Sequence, residues 1–165
     1  IGRNETGSIK FELLRQVCFA DVCGIRLSTK KLLRSLAPRT VYDIGQILKS
    51  MADEFLVHIS RDGDYIEGLH PVRSRHIVEY LHEYYPLEET AYNITKLADL
   101  QDFSVLFSHY PEFSFDKERF YSDVVNEWWN LEDLKCFVSA ISGTFSGCVM
   151  QYFRNNEEFL IFLKS

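Results

Sequence analysis

Between residues 55 and 69 the sequence leaves helical periodicity and twice becomes a short run of strand formers. Residues 55–60 and 65–69 flank Arg61-Asp62-Gly63-Asp64, which reads as a hairpin turn with Gly63 free to take positive φ. His70-Pro71 follows at once. Proline suits the first helical position, because it has no N–H to leave unpaired and its φ is already helical. A strand must therefore hand over to a helix at this one junction, with His70 at or beside the cap. This lone hairpin, set among helices, constrains the fold more than any other stretch.

The segments before it have helical spacing. Residues 9–23 place Phe11, Leu13, Leu14, Val17, Cys18 and Val22 mostly on one side, and Gly24 ends the segment. Ser28 is a suitable cap for a short helix through Leu36, with Leu32, Leu33 and Leu36 inward. Ala37-Pro38-Arg39 breaks it. Thr40 and Asp43 then form a helix-start signal ahead of Ile44, Ile47, Leu48 and Met51. After the hairpin, the spacing predicts a helix over 71–84 with Val72, Ile77, Tyr80, Leu81 and Tyr84 inward. Three helices, a hairpin and a fourth helix are the order of a winged helix-turn-helix domain, expected over residues 8–85.

Tyr85-Pro86 marks the expected boundary, and residues 86–165 read as an α-helical array. Residues 90–100 use Ile94, Leu97 and Leu100; residues 103–110 use Phe103, Leu106 and Phe107; further helices are expected over 116–129, from 130 to Gly143, over 145–153 and over 158–163. Short helices with brief breaks suggest an α-hairpin array, without a clean sequence repeat. The fold class is thus mainly α, with a short β-hairpin. Aromatic residues make up 15% of the chain, and their place in helical patterns assigns them to the core.

Charge divides unevenly. Residues 1–39 hold eight Lys/Arg against three Asp/Glu, a net of +5, whereas residues 40–165 hold ten against twenty-one, a net of −11. The basic part suits an acidic neighbour or a nucleotide, or is simply a solvated face. Apolar runs fall short of membrane-spanning length, and the polar start does not read as a signal peptide. Ile1 stands where an initiator methionine would, so a piece of a longer, cytoplasmic protein is expected. Cys18, Cys23, Cys136 and Cys148 form no CxxC pair and are expected to be reduced and buried.

Chemistry-bearing motifs are few. The sequence contains no phosphate-binding Gly-x-x-x-x-Gly-Lys-Ser/Thr loop, HExxH, Gly-x-Ser-x-Gly or cysteine–histidine zinc spacing. Neither catalysis nor a metal is expected of this chain alone. His70, Arg73 and Arg75 cluster at one helix start, where free N–H groups and the helix dipole favour an anion. They can face a phosphate. Alternatively, the histidine caps its own helix and the arginines lie in solvent. The third helix and the wing, which in a DNA reader would enter the grooves, offer Asp43, Lys49, Asp53, Glu54, Arg61, Asp62 and Asp64. Their net charge is of the wrong sign for phosphate contacts.

The run Leu69-His70-Pro71-Val72-Arg73 resembles the end of the winged-helix domain of STAND NTPases, the signalling ATPases that include NLR-type receptors, apoptotic ATPases and bacterial antiviral sensors. Their winged helix ends in a strand, a Met-His-Asp motif and a helix. Here Leu69 stands for the Met, His70 matches the His, and Pro71 replaces the Asp; many bacterial members have this His-Pro version with an arginine nearby. Val72, Ile77 and Leu81 fit the apolar positions of the helix that follows. The likeness covers residues 8–85, and the remainder would match the start of the helical arm or sensor region.

The resemblance implies a role for His70: contacting the terminal phosphate of ADP held by a preceding ATPase domain, so that the closed, inactive state persists until the winged helix swings away and the protein oligomerises. Arg73 and Arg75 are added on charge and nearness. The Asp interaction is not carried over at Pro71. On this reading the chain is a nucleotide-state relay in a signalling or defence ATPase. ADP or ATP with Mg belongs to the parent, the partners are its ATPase domain and further copies of the parent, and neither nucleic acid nor a membrane is expected. A DNA-binding regulator with a helical dimerisation or sensor domain is the alternative, and a purely helical interaction module a third.

Overall fold

The computed structural model describes residues 2–36, 41–114, 116, 119–120 and 123–124. The chain is mainly α with a small antiparallel sheet. In order, the elements are α1 (Gly2–Val22), β1 (Leu27–Ser28), α2 (Thr29–Leu36), α3 (Val41–Asp53), β2 (Val57–Ile59), β3 (Tyr65–Gly68), α4 (Pro71–Leu81), α5 (Leu87–Leu97) and α6 (Phe103–His109). Through α4 this is the winged-helix order. β3 lies between the other two strands, with Leu27 and Ile59 both opposite Ile66 and His58 opposite Glu67. The hairpin forms as the sequence predicts, and Gly63 takes φ +78°. Its turn is closed locally. Ser60 Oγ accepts from the Tyr65 N–H at 3.0 Å and donates to Asp62 Oδ1 at 2.5 Å. That bond, with another from the Asp64 N–H, holds the Asp62 carboxyl below its usual range.

The sequence pattern does not predict strand β1. Two residues give no periodicity, and Ser28 reads as a cap. It is both: it pairs with Tyr65, and its Oγ accepts from the Lys31 N–H at 3.4 Å to start α2. α1 begins at Gly2, earlier than the predicted residue 9. α4 stops at Leu81 rather than 84. α5 begins at Leu87 and ends at Leu97, leaving Leu100 exposed in a following 3-10 turn (Leu100–Asp102). The Ala37-Pro38-Arg39 break, Thr40, Cys136, Cys148 and the helices expected beyond residue 124 lie outside the described residues.

Leu13, Val17, Cys18, Val22, Leu32, Leu36, Ile44, Ile47, Leu48 and Met51 are buried, as their spacing predicts. α4 departs from its predicted face. Val72, Tyr80 and Tyr84 are 59%, 74% and 91% exposed, and the buried residues are Ser74 and Val78. The reason is close packing. α4 lies mainly against α1, and its inner row is Ser74, Val78 and the following His82, spaced i, i+4, i+8. Small or polar side chains there let the helices approach, and the bulky apolar ones are displaced to the flanks.

By contacts the chain forms two compact units, Ile1–Ala98 and Asp99–Ser165. Pro86 separates α4 from α5, but α5 packs on α1 with Ala91 and Ile94 buried, so the first unit extends past the residue-85 boundary read from the sequence. In the second unit Phe103, Phe107, Tyr110 and Phe120 form a run of edge-to-face contacts with centroids 6.0, 5.2 and 5.0 Å apart. Such pairs suit the aromatic quadrupole, and all four rings are buried, Phe103 and Phe107 as their helical spacing predicts.

Two glycines give opposite expectations. A Cβ on Gly68 would collide with Ser74 Oγ and Asp21 Oδ2, whereas one on Gly45, inside α3, meets nothing within 4 Å. Gly68→Ala should cost about 1–3 kcal/mol through overpacking. Gly45→Ala should stabilise by about 0.5–1 kcal/mol through helix propensity. Urea unfolding of both variants checks the pair of signs.

Candidate functional site

α4 starts where the sequence places it, and His70 is its N-cap. The residue is extended (φ −166°, ψ 131°), and its Nδ1 accepts from the Val72 N–H at 3.2 Å. An accepting Nδ1 carries no proton, so this bond selects the neutral tautomer with hydrogen on Nε2. His70 is exposed. The capping alternative is therefore realised, and it leaves one outward donor, Nε2–H. The helix start itself offers less to an anion than expected: Pro71 has no N–H, and that of Val72 is taken by the imidazole.

The junction is anchored from beneath. Ser74, 1% exposed, donates to Asp21 Oδ2 of α1 at 2.5 Å. Gly68, the last residue of β3, lies against both side chains and has no room for a Cβ. Cys18, one turn earlier on α1, completes the cluster. Burial pushes its thiol up to about 11, so it remains an un-ionised part of the packing.

The arginines have different roles. Arg73 Nη1 donates to the Phe55 carbonyl at 2.8 Å, tying the first turn of α4 to the start of the wing. Arg75 is exposed but stands about 200° further round the helix, and it does not line the same surface. That surface is an open groove of about 720 Å³ between α1 and α4. His70, Arg73 and His76 border it, and its floor is apolar, formed by Phe11, Leu14, Val72, Ile77, Tyr80 and Leu81. Phe11 is 53% exposed. His76 also lies 3.6 Å from Glu79. Sequence reasoning missed the groove because it turned Val72 and Tyr80 inward. The available signal was Val72, His76 and Tyr80 at i, i+4, i+8, a second stripe beside the inner one.

The surfaces that would meet DNA, the end of α3 and the wing, carry mostly acidic side chains. Glu54, at the end of α3, accepts from Lys10 at 2.7 Å and from Ser50 at 2.6 Å, which keeps its carboxyl below the usual range. Asp53, Asp62 and Asp64 are exposed. Among the described residues, no helix is long and apolar enough to cross a membrane, and no group of three or more His, Cys, Asp or Glu is placed to hold a metal ion.

Cap and imidazole can be separated by mutation. His70→Ala should lose about 1 kcal/mol of stability, the usual worth of an N-cap bond, and His70→Asn should recover most of it. Chemical denaturation of the two variants beside the parent chain measures this. No protein-family model matches the chain, and no curated protein or solved structure does either.

Proposed function

We propose that this chain is the winged-helix portion and the start of the helical arm of a STAND-type signalling ATPase, cytoplasmic and non-catalytic by itself, in which His70 reads the phosphate of ADP bound in the ATPase domain of the same parent protein. The observation that carries the reading is the imidazole. It is exposed at a strand-to-helix junction, with Nδ1 committed to the cap and Nε2–H directed away from it. One outward donor on a rigid mount suits a phosphate oxygen held by a neighbour.

The groove supports the same reading. An apolar floor bordered by His70, Arg73 and His76 is a surface that a neighbouring domain would cover. The acidic third helix and wing weigh against duplex DNA. Arg73 can hold the wing start through one N–H and still present others, since a guanidinium carries five. Arg75, outside the groove, is the weakest member of the proposed set. Homo-oligomerisation on activation belongs to this reading too, as does a place in signalling or defence.

The test is His70→Asn in the full-length parent, because that variant keeps a cap. ADP should dissociate about tenfold faster, as expected for losing one hydrogen bond to a charged group, and resting activity should rise. Unchanged ADP release from a well-folded variant would overturn the assignment.

A further inference from the structure

The inner row of α4 ends on His82, which joins three elements at once. Its Nδ1–H donates to the Val78 carbonyl at 2.7 Å, and its Nε2 accepts from the Thr90 hydroxyl of α5 at 2.8 Å. Thr90 is only 2% exposed. The Tyr85 ring meets the imidazole edge-on at 6.0 Å, and the Arg15 guanidinium of α1 lies 3.9 Å from the centroid of that tyrosine. Both ring nitrogens are thus used, and the arrangement is written for a neutral imidazole.

We propose that His82 is a proton-sensitive latch that holds α5 against the winged helix. Protonation turns Nε2 from acceptor to donor, so the buried Thr90 hydroxyl must reverse its bond. It also places a cation in a half-buried site. The charge acting on the ring is the Arg15 guanidinium, which is of the same sign; its contacts on α4 and α5, the Val78 carbonyl and the Thr90 hydroxyl, are neutral, and the flanking Glu83 and Glu89 are exposed to solvent. Burial first, and Arg15 after it, hold the imidazole below its ordinary value of 6.5, against an opposing contribution from the Val78 carbonyl.

The sign follows from linkage. An opened or unfolded joint restores the ordinary value, so it binds more protons than the closed one. Closure weakens as pH falls through about 6.5 and levels off below the depressed value of the closed state. α5 is the last helix of the first unit, so loosening this joint loosens the end of that unit. The latch requires no nucleotide and stands apart from the phosphate-reading role of His70.

Amide hydrogen exchange on the 165-residue chain, from about pH 7.5 to about pH 5, tests it together with NMR titration of the His82 ring. Protection factors over α5, corrected for intrinsic exchange, should fall by at most about tenfold per pH unit, the limit for one proton, while those of α3 stay level. His82→Gln should remove the dependence in α5. Arg15→Gln, which keeps most of the side-chain length but not the charge, should raise the His82 titration midpoint. α5 protection that is flat with pH in the parent chain, or equally pH-dependent in His82→Gln, would overturn the latch. So would a His82 midpoint at the ordinary imidazole value, a reading that needs no folded variant.

Discussion

The contact of α4 with α1 is the constraint from which the rest of the first unit follows. Helices approach closely only where their facing side chains are small, and the α4 row facing α1 begins with Ser74 and Val78. A serine so placed must satisfy its hydroxyl, and Asp21 accepts from it. The pair then fills the space over Gly68, so the end of β3 can pass only because that residue lacks a side chain. Strand end, helix start and central helix are fixed by one small polar cluster. His70, two residues beyond Gly68, inherits its position from that cluster.

A second tie comes from the way two helices stop. At the end of α1 the Gly24 N–H donates to the Asp21 carbonyl and the Ile25 N–H to that of Ala20, with Gly24 at φ +72°. α3 ends with the same pair of bonds, from Phe55 to Ala52 and from Leu56 to Met51, but the residue at positive φ is Phe55, at +54°. Glycine takes that conformation freely, whereas a side chain there costs roughly 1–2 kcal/mol. The Phe55 carbonyl is the one that Arg73 grips. The strained turn, the start of the wing and the first turn of α4 are therefore joined at one carbonyl.

These details explain which parts of the molecule were legible beforehand. The hairpin was, because Gly63 and the flanking strand formers are strong local signals. So was the start of α4, since proline at the first helical position carries its own geometry. Gly24 announced the end of α1 and the change of period at residue 55 the end of α3, but nothing announced the positive φ of Phe55, where the surrounding bonds override the residue's preference. Strand β1 was hidden because two residues have no period and their pairing with β3 is a tertiary fact. The outward turn of Val72, Tyr80 and Tyr84 was hidden for a deeper reason: hydrophobicity ranks side chains by transfer energy, whereas α4 is seated by size. An error of one stripe on α4, with Phe11 of α1 grouped among its buried neighbours, was enough to conceal the groove.

The same tautomer argument limits how the proposed phosphate contact can work. His70 Nδ1 is held by the Val72 N–H, so the ring cannot turn to follow a receding anion without giving up the cap of its own helix. Polarisation runs the useful way: a donor bonded to Nδ1 draws density from the ring and makes Nε2–H a better donor. Arg73 adds no slack, since it is tied to the wing through Phe55. On the proposed reading, a contact from a ring held by its own cap would be made or lost as the winged helix moves relative to the nucleotide. A relay needs that property, because a side chain that adapted to both positions would have equal affinity for them and would bias neither.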